Sequence, residues 1–348
     1  MAQRRTLVTG GAGFIGSHLV DALLSRGHSV IVLDDFSTGR RAHLAQHDGN
    51  PNLVVVEADI RDESVTSPWF RGVQDVFHLA CRNVRLSLRQ PTLVHEVNAT
   101  GTFNVLKAAA AAHVERFLYC SSSEVNGTAD LVPMPEEYHY KPETIYGASK
   151  LVGEYYTQVF QRAGWLATVI ARPHNNYGPR EHYEGITGEV IPRFILWGLA
   201  DQPLMIYGDG RQTRDFTYVT ETAQYLVRLA ECPQAVGQTF NICRGQEVSI
   251  LELAQQISNL LERETPLIHL PGRPSDVRRL IGDPTKLRQT LGDAPRVDIS
   301  QGLRRTLEWF RRHIPPTPEV LASLLPENWQ ATVPEPWLPD GGHCSPRI

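Results

Sequence analysis

The stretch TGGAGFIG, residues 9–16, decides how this chain is read. It sets glycines at 10, 11, 13 and 16, after the strand-like run TLVT and before the helical pattern HLVDALLSRG. Without Cβ atoms there, a diphosphate can approach the backbone and the N-terminus of the following helix, where orphan N–H groups favour an anion. Gly10, Gly13 and Gly16, with Phe14 and Ile15 between them, are the expected cofactor contacts. A glycine motif alone can do no more than turn a chain. Here, however, the second strand-like run ends at Asp34, eighteen residues after Gly16, where a carboxylate can accept hydrogen bonds from both ribose hydroxyls. An acid at that point repels a 2′-phosphate, so NAD rather than NADP is expected.

Outward from that stretch, apolar runs alternate with helical patterns: SVIVLDD (29–35), LVVVEAD (53–59), DVFHLA (75–80), RFLYCSS (116–122) and ATVIARP (167–173). Runs rich in Val, Ile and Leu throughout, rather than alternating, belong to a parallel sheet covered on both faces. The expected fold is therefore α/β, a doubly wound Rossmann sheet with a smaller C-terminal substrate-binding domain. Asp59 and Ile60 follow the third run and Leu79 and Ala80 the fourth, at the carboxyl edge where a dinucleotide lies; core packing is the plain alternative for Leu79 and Ala80.

The boundaries read as a cofactor domain over 1–180 with part of 217–250 returning to it, a substrate domain over 181–216 and 250–312, and a proline-rich tail over 313–348. From Pro315 the prolines predict an extended tail whose Trp329 and Trp337 dock on the body.

Composition narrows the function. A chain of 348 residues with 41% hydrophobic residues and a net charge of −4 has the make-up of an ordinary globular enzyme, with no basic arm for a nucleic acid. The start, MAQRRTLVTGG, has no signal-peptide apolar segment, and no apolar run reaches the roughly 18 residues of a membrane span, so a cytoplasmic protein is expected. Five cysteines (81, 120, 232, 243, 344) without C-x-x-C spacing read as reduced thiols, with no metal site.

TIYGASK places Tyr146 and Lys150 four residues apart, on one face of a helix. A nearby ammonium and a positive nicotinamide are expected to depress the phenol pKa from about 10 toward neutrality, so that Tyr146 could take a proton from a substrate hydroxyl. An amphipathic surface turn is the alternative for a bare tyrosine and lysine.

TGGAGFIG, Asp34, HLA (78–80), N-x-x-G-T from Asn98 to Thr102, SSSEV (121–125), Y-x-x-x-K, RPHNNYGPR (172–180), YGDGRQTRDFTYV (207–219) and GRPSDV (272–277) occur in that order. Over about residues 5–312 the chain thereby resembles the extended short-chain dehydrogenases/reductases that act on nucleotide sugars. The resemblance implies a resident NAD that removes hydride from sugar C4 and later returns it. It implies Ser122 as the catalytic hydroxyl, Tyr146 as base, and Lys150 as its electrostatic partner and ribose contact. Asn98 is implied to hold the lysine's network, Asn175 to touch the diphosphate, and Arg214 and Arg273 to neutralise it. Arg85, Ser123, His174 and Val190 complete the expected substrate contacts. Such enzymes commonly form homodimers through the helix bearing Tyr146 and Lys150, where Leu151, Val152, Tyr155 and Tyr156 could supply the face.

Glu124 marks the branch point. C4 epimerases of this family usually carry a small or hydroxyl residue there, whereas SSSEV looks like the Ser/Thr-x-Glu of 4,6-dehydratases and UDP-glucuronate decarboxylases, in which a carboxylate handles the C5 proton. A backbone cap or an ion pair with a loop arginine is the structural alternative. Ser123 stands where dehydratases of the dTDP-glucose type carry an aspartate acid, and Leu280, beside Arg278 and Arg279, where decarboxylases carry an arginine. Asn126 and His174 replace an expected tyrosine and aromatic residue, and with Arg82 and Arg85 they suggest a more polar sugar pocket. A UDP-sugar (hexose or hexuronate) 4-epimerase is the leading expectation, C5 chemistry through Glu124 the alternative, and a catalytically silent nucleotide-sugar or NAD sensor the rival of another class.

Overall fold

The structure is a computed structural model and describes residues 3–273 and 276–326. Trp329, Trp337 and Cys344 lie outside the described residues. Seven parallel strands form the main sheet: β1 (Arg5–Thr9), β2 (Ser29–Asp34), β3 (Leu53–Glu57), β4 (Asp75–His78), β5 (Arg116–Cys120), β6 (Thr168–Pro173) and β7 (Thr239–Ile242), in the order β7-β6-β5-β4-β1-β2-β3. The order reverses between β1 and β4, and that switch point opens a crevice at the carboxyl ends of the strands.

The apolar character of these runs follows from two-sided burial. Val8, Val30, Val32 and Leu118 face one core with helices α1 (Phe14–Ser25) and α5 (Val219–Glu231). Leu7, Ile31, Leu33, Phe117 and Tyr119 face the other with α2 (Thr102–Ala111) and part of α3 (Ile145–Arg162). β3, at the sheet edge, is half exposed.

A second core gathers α4 (Val190–Leu199), α6 (Ile250–Leu260) and α7 (Ile299–His313) around Phe194, Trp197, Leu253 and Leu303. The chain reaches it after β6 ends at Pro173. The extended tail expected from Pro315 is corrected over Pro318–Ser323, which form a helix, α8. Thr317 caps it by accepting a hydrogen bond from the Val320 N–H, and Pro318 sits in its first turn, where the missing N–H costs nothing. Among the described residues no helix is long and apolar enough to cross a membrane.

Candidate active site

At the switch point, a cavity of about 370 Å³ runs from the β1–α1 turn to the second core. The turn is built by close backbone approach. Gly10 holds φ +70°, and a Cβ there would stand 2.8 Å from the Ala80 backbone; a Cβ on Gly16 would stand 2.0 Å from the Gly10 carbonyl. Only glycine permits this packing, and it brings the α1 N-terminus onto the cavity wall.

Asp34 ends β2 at the same wall. Its carboxylate accepts from the Ala12 N–H and the Phe36 N–H, both at 2.9 Å. Burial pushes its pKa up, against the pull of those two N–H groups. Phe14, Ile15, Asp59, Ile60, Leu79 and Ala80 line the same half. A glycine cradle that a Cβ would fill, beside a buried acid, fits an NAD dinucleotide.

Asn98 does not line this cavity, which corrects its expected place among the cofactor contacts. It sits in a π-helical turn, Glu96–Gly101, and clamps the loop after β4: its Oδ1 accepts from the Arg82 N–H (2.7 Å), and its Nδ2 donates to the Arg82 carbonyl (3.0 Å) and to Ser149 Oγ (3.0 Å). It thus ties that loop to α3. His78 braces the strand ends from below, accepting from Thr9 Oγ1 (2.6 Å) and donating to Thr102 Oγ1 (2.8 Å), a tautomer assigned because Thr102 itself donates to the Asn98 carbonyl. Burial and Lys150 lower the His78 pKa to about 3, so it stays neutral.

Ser122, Ser123, Glu124, Tyr146 and Lys150 meet on the cavity wall. Thr144 caps α3 by accepting from the Gly147 N–H at 3.0 Å, which aims the first turn and Tyr146 at the cavity. Gly147 is needed for contact with the β5 loop, since a Cβ there would meet the Glu124 carbonyl at 2.6 Å. The Ser122 hydroxyl lies near the Tyr146 phenol and lowers its pKa. Lys150, 2% exposed, donates to the Cys120 carbonyl at 2.6 Å, and its Nζ lies 4.8 Å from the Tyr119 ring. The expected depression of the Tyr146 pKa is reversed here. Burial, aided by Cys81, pushes the phenol up, and Lys150 and Ser122 pull it only part of the way back.

Behind these groups, Glu154 and Arg172 form a fully buried pair, with Arg172 Nε and Nη2 each 2.7 Å from the carboxylate. Ser121 Oγ donates to the same carboxylate at 2.6 Å. Arg172 also donates to the Glu136 carbonyl and to Tyr140. One buried ion pair therefore fixes the strand end that carries Ser122.

Glu124 is neither cap nor ion pair. Its own N–H donates to Ser122 Oγ, while its carboxylate makes no hydrogen bond among the described residues. Burial raises its pKa, with Arg214 and Arg273 pulling down and Asp276 pushing up.

At the far end, Asn175, Val190, Arg85, Arg214 and Arg273 line the cavity. Arg85 is already engaged, with its guanidinium 2.5 and 2.8 Å from the Glu189 carboxylate. Arg214 pairs with Asp276 at 2.8 Å. Arg273 stacks over Tyr207 at 5.6 Å. His174 and Asn126 fall outside the cavity, which corrects both the His174 substrate contact and the more polar pocket inferred from the two. His174 is packed beside Gly282; Asn126 ties down the carbonyls of Tyr138 and His139. Arg82 lines the cavity but pairs with Asp35 at 2.7 Å.

Residues missed in the sequence include Glu181, Glu189, Arg193, Tyr207 and Asp276, all on the cavity wall. Tyr207 opens the YGDG motif already quoted, and Arg193 interrupts the apolar run VIPRFI, the one signal that pointed to it. Among the described residues no cluster of His, Cys, Asp or Glu is arranged to hold a metal ion.

A family model described as GDP-mannose 4,6 dehydratase matches residues 7–306. A UDP-glucose 4-epimerase of Mycolicibacterium smegmatis is 38% identical over 311 residues, 88% of this chain and 98% of that protein. UDP-glucuronic acid decarboxylase 2 of Arabidopsis thaliana is 35% identical over 316 residues, 89% of this chain and 69% of that protein. Among solved structures, DesIV, a dTDP-glucose 4,6-dehydratase of Streptomyces venezuelae with NAD bound, superposes with a TM-score of 0.84 at 32% identity, covering 89% of this chain and 97% of that one.

Proposed function

The chain belongs to the GDP-mannose 4,6 dehydratase family of nucleotide-sugar enzymes, within the extended short-chain dehydrogenases/reductases, and from that premise we propose that it is an NAD-dependent UDP-hexose or UDP-hexuronate 4-epimerase working through a transient 4-keto sugar. The observation that carries the C4 oxidation is the joining of Ser122, Tyr146 and Lys150 on one wall of a cavity whose other half is a dinucleotide cradle. Gly10, Gly13, Gly16, Asp34, Tyr146 and Lys150 would hold NAD, which would supply the hydride acceptor.

Tyr146 takes the proton of the C4 hydroxyl, which Ser122 orients by hydrogen bonding. Lys150 opposes the effect of burial on the phenol and so makes the transfer feasible. Arg214 and Arg273, with Asn175, hold the diphosphate, a planar guanidinium being suited to its paired oxygens. The same Tyr146 returns the proton to the ketone oxygen, so a cycle closed at C4 needs no further acid or base. The relative named as a UDP-glucose 4-epimerase, matched over nearly its whole length, supports the UDP-hexose reading.

One observation favours a second reading. Glu124 presents a half-buried carboxylate with a raised pKa to the cavity and spends it on no structural bond. That suits removal of the C5 proton from the 4-keto sugar and loss of water. Decarboxylation is less well served, because Arg278 and Arg279 leave the cavity to pair with Asp209 and Glu247 on the surface.

We also infer a homodimer through α2 and α3. Phe103, Tyr155, Tyr156 and Val159 stand 37–47% exposed on these helices, and the Phe103 and Tyr156 rings lie tilted at 55° with centroids 5.4 Å apart.

The test is mass spectrometry of the reaction in D₂O with UDP-glucose, UDP-galactose, UDP-glucuronate, their N-acetyl analogues, dTDP-glucose and GDP-mannose. A product of unchanged mass and altered retention supports epimerisation. Loss of water with deuterium gained transfers the assignment to Glu124 and C5. Absence of any reaction across the panel counts against both.

A further inference from the structure

Four arginines, 85, 193, 214 and 273, line the nucleotide end of the cavity. Two are matched by carboxylates: Glu189 holds Arg85 and Asp276 holds Arg214. Arg193 is held differently. It is 3% exposed, its Nη2 donates to the carbonyls of Leu325 and Pro326, and its guanidinium lies 4.6 Å over Trp197 and 5.8 Å over Tyr207. The Tyr207 hydroxyl donates to the same Pro326 carbonyl. Its buried Nε has no hydrogen-bond partner among the described residues.

Main-chain carbonyls satisfy N–H groups without cancelling a charge. Arg193 is therefore oriented and partly solvated while its cationic field remains for an anion in the cavity. The two carbonyls arrive on a segment beyond the family match, which ends at residue 306. That segment is anchored. Leu324 is 3% exposed in the second core, Val320 and Leu321 pack against it, and Thr317 caps α8.

We propose that the C-terminal segment Pro318–Pro326 positions Arg193, together with Tyr207, as a further contact for the substrate's diphosphate. The proposal rests on the nucleotide-sugar reading above. Arg193 is the anion contact and the segment is the positioning element; neither takes part in the C4 chemistry.

The experiment is titration calorimetry of the full chain with UDP and with uridine. It compares wild type, Leu324→Asp, Arg193→Gln and the double variant, with bound NAD and melting temperature as controls. Loss of one charge-assisted contact predicts that Leu324→Asp and Arg193→Gln each weaken UDP binding by about tenfold. The double variant is expected to be no weaker than Arg193→Gln alone, uridine binding to be unmoved, and KM to rise with kcat unchanged. Leu321→Asp, at a partly buried position, replaces Leu324→Asp if that variant does not fold. UDP binding that is unchanged or tighter on undocking the segment overturns the proposal, as does additivity of the two substitutions. A wild-type chain that binds none of UDP, dTDP and GDP overturns the nucleotide-sugar reading itself, an outcome distinct from unaffected variants of a chain that binds UDP.

Discussion

Replacing Lys150 by Met asks how much of the chemistry depends on one buried cation. Lys150 and Tyr146 are one helical turn apart, so their charges interact across about 6 Å, worth about 2.8 kcal/mol at an effective dielectric of about 20. That energy corresponds to about 2 pKa units on the phenol, and at fixed neutral pH to about a hundredfold smaller phenolate population. The direction is set by the site: burial already pushes Tyr146 up, and Lys150 is the main group pulling it down. The substitution also strips the Cys120 carbonyl of its donor at 2.6 Å, a cost to stability of about 1 to 3 kcal/mol. The assay is a single-turnover measurement of absorbance at 340 nm on mixing the NAD-loaded enzyme with its nucleotide sugar, repeated across pH. Lys150→Met should slow the transient by about a hundredfold at pH 7 and move the limb that rises with pH, set by the phenol, upward by about 2 units. A pH profile that keeps its midpoint, or a slowing of less than about threefold, would refute the assignment of Lys150 as the group that tunes the phenol.

Three further outcomes follow from the geometry. Gly16→Ala, whose Cβ would stand 2.0 Å from the Gly10 carbonyl, should destabilise the fold by about 3 kcal/mol or more and abolish NAD retention, whereas Gly13→Ala, at 3.2 Å from the same atom, should lose cofactor with a stability change under about 1 kcal/mol; thermal melts and NAD content after purification separate the two. Acid should destabilise the α1 region, because burial lowers the pKa of both His18 and His43 to about 4; the unfolded chain then binds more protons below about pH 6.5, so their stabilisation is present above that pH and is lost as pH falls toward 4. Asp215, pushed up to about 6 by burial, acts with the opposite sign, so the test is the difference between wild type and His18→Gln/His43→Gln, whose melting temperature should fall less between pH 6.5 and 4.5. Tyr156→Asp should convert a dimer to a monomer in sedimentation, since the side chain is 37% exposed on an apolar face; an unchanged mass assigns that face to something else.

The main sheet was legible because strands buried on both faces must be apolar throughout, and because a backbone contact as close as that of Gly16 to Gly10 admits one residue type. Asp34 was legible for a similar reason, as the last residue of a buried strand with a carboxylate that has somewhere to go. Other readings failed where side-chain direction is not set by a period. His174 and Asn126 follow strand ends, where the chain turns and nothing in the spacing says which way a side chain points; both turn into the protein. Asn98 lies in a π turn, whose larger number of residues per turn breaks the regular helical period, and its side chain bonds the Arg82 loop. The partner of Arg85 is Glu189, 104 residues away, and no local pattern links them. The prolines from Pro315 predict an extended tail, but Pro318 occupies a first-turn position that begins a helix.

The central claim is that hydride leaves and returns to the sugar within one site. The direct measurement uses UDP-glucose carrying deuterium at C4, turned over in ordinary water and analysed by mass spectrometry and NMR. The label is expected to stay in the product sugar, with no NADH released and none washed out to solvent. Label appearing in water, or in free NADH in proportion to product, would contradict it.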